Sequence, residues 1–306
     1  MLDRVKDKND IDTSIEIAED IISGKDEKYL DMIIRRFLKH KMAIGGLVII
    51  VILAVCAILA QVISPHDPYE ITNAFSAKPS SQHLLGTDQV GRDVLSRLIY
   101  GARISLTVGL GTVAISVIIG TVLGLVSGYF GGKIDMVIMR ITDMFMSFPD
   151  IVLILVIVSI MGPGLKNIII VIGMLKWPSV TRLVRGNVLS IKQMDYIKSA
   201  VVLGLKTPRI LFLHILPITI APVLVNATSG MASAIITEAS LSFLGMGVQP
   251  PTASWGNMIT DAQSLTVLTS QPWLWLPPGI MIVVCVLSIN FIGDGLRDAL
   301  DPKNLK

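Results

Sequence analysis

Along most of this chain the hydrophobic residues come in long unbroken runs, without the polar interruptions every second or third position that a water-exposed strand or helix needs. A helix crosses a bilayer with about 20 largely apolar residues. Runs of this kind occupy 43–63, 104–130, 136–161, 168–183, 215–244 and 275–292. The third contains Arg140, Asp143 and Asp150, the short fourth is interrupted by Lys176, and the fifth carries Glu238 near its far end; the other three have no formal charge. The pattern predicts an all-α membrane protein with six transmembrane helices. It divides the chain into a polar tail over 1–42, a first span over 43–63, a connection over 64–103, a core of five spans over 104–298 and a tail over 299–306.

Basic residues then orient the bundle, because cytoplasmic connections collect Lys and Arg. With the amino terminus inside, and with Arg140 and Arg182 near the inner ends of their runs counted there, twenty of the 26 basic residues fall on the inside, five (Lys78, Arg92, Arg97, Arg103 and Lys166) fall outside, and Lys176 lies within a span. Both termini are expected to be cytoplasmic. Before the first span, Leu30, Ile33, Ile34, Phe37 and Leu38 recur at helical spacing while Arg35, Arg36, Lys39 and Lys41 fill the other face. The stretch reads as an amphipathic helix on anionic lipid or as a plain basic flank. Further upstream, Thr13 and Glu16 form a capping box for a short helix.

Composition agrees and removes several classes of function. Hydrophobic residues make up 52% and charged residues 16%, which excludes an ordinary soluble domain. A net charge of +3 and 6% aromatics give nucleic acid little to hold. Cys56 and Cys285 lie in apolar runs and read as small hydrophobes. The first 27 residues lack the apolar segment of a signal peptide, so the hydrophobic runs are expected to stay in the mature chain. The stretch Gly131-Gly132-Lys133 continues into Ile134 and has Ser127 where a P-loop needs its first glycine, so no nucleotide site of that kind is expected. His40, His66, His83 and His214 are scattered, and no intramembrane hydrolase or metalloenzyme set is visible.

Glycine and proline mark special backbone. Gly120, Gly124 and Gly128 recur every four residues on the second span and predict a close helix–helix contact. Pro149, Pro178, Pro217 and Pro222 predict kinks.

The segment 186–214 is the most informative. Asp195 can cap a helix running from Tyr196 to about Leu203, Gly204 ends it, and Thr207-Pro208 supplies the cap and first residue of a second short helix. Ile197, Ala200, Val201 and Leu205 make an apolar stripe on a connection that faces water, and such a patch calls for a partner.

Lys198-Ser199-Ala200, three residues, Gly204, ten residues and Ile215-Leu216-Pro217 together resemble the EAA loop of binding-protein-dependent ABC import permeases. Leu85-Gly86-Thr87-Asp88 with Gly91-Arg92-Asp93, then Trp177-Pro178, Arg182 to Gly186, Glu238 to Gly245 and Gly293 to Asp298 are similar to the dipeptide/oligopeptide/nickel branch, in its DppC/OppC-type subunit. The resemblance runs from about Arg35 to Asp301. It implies the type I importer permease fold and a partnership with a second, homologous permease of DppB/OppB type, two cytoplasmic ATP-binding subunits and an extracytoplasmic substrate-binding protein. ATP and Mg²⁺ would sit on those partners, with no cofactor on this chain. The cargo implied is peptide, with nickel chelates or another small solute as the alternative and a self-sufficient carrier as a more distant one. The coupling loop would comprise Asp195, Tyr196, Ile197, Lys198, Ser199, Ala200, Val201, Gly204, Leu205 and Pro208. The family usually has Glu where this chain has Lys198, and a lysine three residues after an Asp195 cap would weaken the helix start by about 0.3–1 kcal/mol. An acid in the ATPase groove is expected to compensate.

Within the spans, with about 1.5 Å of rise per residue and the third span taken at its full length to Met161, Asp150 and Lys176 fall at similar depth. They are candidates for a buried ion pair or for the translocation path, where they would hold the termini of a zwitterionic peptide. Arg140 and Asp143, three apart, read as a local pair. Glu238 is expected to fix neighbouring loops, and the connections 64–103 and 245–274 are expected to be a binding-protein surface or a lid. Trp273 and Trp275 fit an interfacial belt.

Overall fold

The computed structural model describes residues 29–300. The helix expected after Thr13 and the final tail lie outside them. Among the described residues the regular structure is helical, with a single isolated bridge between Thr87 and Asp93. The helices are α1 (Tyr29–Lys39), α2 (Lys41–Ile58), α3 (Ala60–Ile63), α4 (Val94–Phe130), α5 (Gly132–Met146), α6 (Asp150–Met161), α7 (Leu165–Ile191), α8 (Asp195–Val202), α9 (Thr207–Arg209), α10 (Leu216–Phe243), α11 (Trp255–Ile259), α12 (Leu265–Ser270) and α13 (Pro272–Leu300). A π turn, Ile210–Ile215, joins α9 to α10.

Five helical stretches among the described residues are long and apolar enough to cross a membrane: Lys41–Ile58, Val94–Phe130, Leu165–Ile191, Thr207–Phe243 and Pro272–Leu300. The count reaches six only if α5 and α6 are taken as one span. The straight third span expected over 136–161 is therefore corrected, because α5 and α6 meet at 86°. Pro149 explains the break: it has no N–H to donate and disfavours helical backbone at Phe148, so the helix stops at Met146 and restarts at Asp150. Two other helices outrun their apolar windows. α4 begins ten residues before residue 104, where Asp93 accepts from the Ser96 N–H at 2.8 Å, and α7 continues through Arg182 and Arg185 to Ile191.

The most extensive contact is between α4 and α7, which run parallel. A Cβ placed on Gly120, Gly124 or Gly128 would lie 2.5, 2.6 or 2.7 Å from the Cβ of Val180, Val184 or Val188. Each glycine thus meets the valine sixty positions later, and the two four-residue repeats interlock at backbone distance. The other seams also use small residues: Gly46 of α2 lies against the Ser288 backbone of α13, and Gly293 of α13 against Thr228 of α10.

At the end of the bundle opposite the 186–214 loop, the segment 64–93 folds into linked turns. Gly86 and Gly91 have φ of +74° and +88°, and a side chain at either would run into the carbonyl of Ala77 or Thr72. Asp88 accepts from the Arg92 side chain at 2.7 Å and faces Arg97 at 3.5 Å, both largely buried. The 245–274 segment covers the same end: Trp255 is fully buried and donates from its indole to the Leu98 carbonyl at 3.0 Å. Trp273 and Trp275 pack partly buried against this core, with Trp273 beside Gly86.

At the opposite end His40 separates α1 from α2 and caps α2, its Nδ1 accepting from the Ala43 N–H at 3.1 Å. Helix α1 rests Phe37 against Gly295 of α13 and leaves Ile34 and Leu38 exposed.

Two outcomes follow from this packing. Gly124→Ala forces α4 and α7 apart and costs about 1–3 kcal/mol, whereas Gly279→Ala, with no atom within 4 Å of the new Cβ, is neutral or stabilising; thermal stability of detergent-solubilised variants separates them. Burial beside Asp88 raises the Asp261 carboxyl to about pKa 6 despite Arg97 and Arg92 nearby. The folded state thus resists the charge, and stability is lost as pH rises from about 4, the unfolded value, through about 6. Asp261→Asn accordingly raises the melting temperature at pH 7.5, and the gain vanishes by pH 4.

Candidate functional site

The loop 186–214 is built as a rigid projection. Helix α8 starts at Asp195 with Met194 as its cap, so Asp195 is the first helical residue and not the cap expected from the sequence. Its carboxylate still favours the positive end of the helix dipole. Lys198 Nζ reaches Asp195 Oδ1 at 3.4 Å, an exposed pair one turn apart. The weakening foreseen at Lys198 rested on an Asp195 cap and does not arise in that form.

The far end of α8 closes as foreseen at Gly204, which has φ +74°. Leu205 N–H donates to Ala200 C=O at 3.1 Å and Gly204 N–H to Val201 C=O at 3.0 Å. These two bonds form a Schellman motif and satisfy carbonyls that would otherwise be orphaned. In α9, Lys206 is the cap and Thr207 and Pro208 are the first helical residues, one position earlier than expected.

The apolar stripe divides. Ile197 (1% exposed) and Ala200 are buried in this chain's own core, and Leu205 packs against the same cluster, which contains Val188, Ile191, Ile210 and Ile215. The exposed apolar surface is formed instead by Tyr196, Val201, Val202 and Leu203, the last two 86% and 78% exposed. Partial burial holds the Tyr196 phenol above its ordinary pKa, so it is neutral. Sequence reasoning placed Val202 and Leu203 in the helix without singling them out. The 3.6-residue period carries the missing signal, since the face opposite Ile197 and Ala200 passes through Val202.

A second arrangement lies along the broken pair α5–α6. Asp135 accepts from Arg185 at 2.5 and 2.6 Å, Asp143 from Arg182 at 2.5 Å and Asp150 from Lys176 at 2.6 Å. Acid numbers rise as base numbers fall, so α7 carries a ladder of ion pairs that holds both arms of the bend. Asp143 thus pairs with Arg182, and not with Arg140 as the sequence suggested. The Asp150–Lys176 pair is only partly enclosed by this chain, the side chains being 50% and 29% exposed. Asp150 also opens α6, where its charge complements the helix start.

Lys176 borders a recess of about 210 Å³ between α4, α7 and α10, lined by Ser116, Ser179, Asn226, Ser229 and Ser233 among apolar neighbours. Asn226 and Ser229 also line a larger cleft of about 1020 Å³, which extends past Asn187 and Pro222 to Arg297 and Leu300. Sequence reasoning missed these hydroxyls and amides, although Asn226, Ser229 and Ser233 recur at helical spacing on α10. Glu238 lies elsewhere: fully buried, it accepts from Ser242 and Ser254 hydroxyls at 2.8 and 2.9 Å and so ties the 245–274 segment to α10.

Comparison with known proteins agrees with this architecture. The family described as "Binding-protein-dependent transport system inner membrane component" matches residues 120–306, and "N-terminal TM domain of oligopeptide transport permease C" matches 28–82. The dipeptide transport system permease protein DppC of Alkalihalophilus pseudofirmus is 46% identical over 87% of this chain and 87% of its own length. The glutathione transport system permease protein GsiD of Pectobacterium atrosepticum is 43% identical over 88% and 89%, and the di/tripeptide permease DppC of Pseudomonas aeruginosa 42% over 87% and 90%. A solved inward-facing structure of the MetNI methionine ABC transporter shares the fold at 20% identity and a TM-score of 0.56, covering 67% of this chain and 96% of that one. With several apolar spans and matches across most of its length, the chain is a multi-pass membrane protein and belongs to the family of binding-protein-dependent transport system inner membrane components, as a permease of the DppC/OppC type.

Proposed function

We propose that this chain is one transmembrane permease of an ATP-binding-cassette importer and translocates peptides by alternating access. ATP hydrolysis takes place on two cytoplasmic partner subunits, and cargo arrives from an extracytoplasmic binding protein at the 64–93 and 245–274 end. A second, homologous permease completes the path. Both termini are cytoplasmic, an orientation supported by the twenty basic residues that then lie inside. Peptide cargo is supported by the dipeptide, di/tripeptide and glutathione relatives.

The observation that carries the reading is the exposed apolar tip of α8. Tyr196, Val201, Val202 and Leu203 project from a helix whose opposite face is locked into the bundle, at the end where basic residues concentrate. A rigid apolar knob of this kind suits a groove on a soluble partner. In this reading Ile197, Ser199, Ala200, Gly204, Leu205 and Pro208 shape the knob, and Asp195 and Lys198 flank it. The recess beside Lys176 and the cleft below it are the polar part of the path, with the Asp150–Lys176 pair holding the bend in α5–α6 at its edge. Asp150 is engaged by Lys176, which speaks against an ion-coupled carrier.

Val202→Asp with Leu203→Asp weakens ATPase retention on gentle-detergent purification by at least about tenfold, or about 1.4 kcal/mol, and reduces peptide uptake while the chain remains in the membrane. Undiminished ATPase recovery would sink the docking assignment. At the ion pair, Asp150→Asn and Lys176→Met each lower the amount of folded chain because each strands a charge, and the double variant restores it. Normal amounts of both single variants with lost uptake would instead place these charges in contact with cargo.

A further inference from the structure

Three side chains with no part in the sites above converge at the rim formed by the 64–93 segment. His66 follows α3, His83 lies in the turn before Gly86, and Asp93 caps α4; one candidate ligand atom from each lies within 4.8 Å of the others. The imidazole rings of His66 and His83 are 4.8 Å apart between centroids and tilted by 42°. His83 Nδ1 lies 2.9 Å from Asp93 Oδ1.

The cluster is held in place from behind. Asp93 is buried, and its other oxygen accepts from the Ser96 N–H and hydroxyl, both at 2.8 Å. The same Ser96 hydroxyl accepts from the His66 N–H at 3.1 Å, and His66 Nε2 lies 2.9 Å from the Gln82 carbonyl. One side of the group is therefore fixed by α4 while His66 faces solvent.

Two imidazoles this close repel when both are protonated and each offers a lone pair when both are neutral, the form that binds metal. Two nitrogen donors and one carboxylate suit zinc, nickel, cobalt or copper, whereas calcium and magnesium prefer a shell of oxygens. A carboxylate already oriented by two hydrogen bonds is the usual support of such a centre.

We propose that His66, His83 and Asp93 form a site for one divalent transition-metal ion of the zinc and nickel class, with water from the exposed side completing its shell. On binding, a neutral His83 keeps its one ring proton, which sits on the nitrogen turned away from the ion, so no proton has to be lost. The ion joins three segments that are separate in sequence and clamps the 64–83 turns onto the start of α4. The site is independent of the transport reading.

The test uses the full chain, purified in detergent without a polyhistidine tag, with Co²⁺ and Zn²⁺ as probes. Co²⁺ is expected to saturate at one ion per chain with visible d–d absorption, and Zn²⁺ to raise the melting temperature with concentration. His66→Ala removes both responses, whatever the loss of its bond to the Gln82 carbonyl does to the metal-free melting temperature. His66→Gln, which can keep a donor toward Gln82, loses them as well. No stoichiometric uptake by the parent chain, or uptake undiminished in both variants, would overturn the site and leave a hydrogen-bonded clasp.

Discussion

The interlock of Gly120, Gly124 and Gly128 with Val180, Val184 and Val188 sets the geometry from which the rest of the bundle follows. In a bilayer, lipid tails are as apolar as leucine, so burying hydrophobic side chains gives helices little reason to associate. Close backbone approach and the dispersion contacts it permits supply the attraction instead. Placing glycine opposite valine at a four-residue period brings α4 and α7 together at backbone distance and in one register. With that register set, the remaining faces of α7 have defined neighbours: the recess and α10 on one side, the broken pair α5–α6 on another.

The ion-pair ladder depends on this placement. A helix bent by 86° within or beside the membrane loses backbone hydrogen bonds at the break and has no straight neighbour to lie along. Asp135 and Asp143 hold the first arm to Arg185 and Arg182, and Asp150 holds the second to Lys176. None of these pairs is strong where it is solvated, since exposed pairs are worth about 1 kcal/mol or less. Their value is geometric, because three pairs along one rigid helix set both the direction and the register of the two arms.

How much of this could be read from residues depended on whether a local period or a long-range register carried the information. The glycine repeat, the Gly204 helix stop and the spans at 43–63 and 275–292 are local, and all are legible. The bend was half legible: Pro149 announced a kink, but hydropathy alone ran 136–161 together, because an apolar stretch looks the same whether straight or folded. The partners of Asp143 and Asp135 were illegible from helix periodicity, which could only offer Arg140. They become visible only once the bend is placed: eight residues of α5, from 135 to 143, meet only three of α7, from 185 to 182, so α5 crosses α7 obliquely. The loop 186–214 shows the same division. Its helix and stop were readable, while the apolar stripe was assigned outward when Ala200 is in fact buried and Ile197 buries in one cluster with Ile210 and Ile215, whose positions depend on the π turn.

That burial bears on how the proposed docking helix could move the path. Because Ile197 shares a core with Val188 and Ile191 at the end of α7 and with the π turn that leads into α10, α8 cannot tilt alone without opening a cavity in this cluster. A displacement imposed on Leu203 is therefore delivered to α7 and α10 together. Those two helices carry Lys176, Ser179, Asn226 and Ser229, the polar residues of the recess. The Schellman closure at Gly204 keeps the α8 end from fraying under load, and the π turn, with its looser hydrogen bonding ahead of Pro217, is the place where α10 can yield. If α8 is the docking helix proposed above, a stiff knob, a shared core and one compliant turn would together form a lever from the surface to the recess, without a wire of specific side-chain contacts between them.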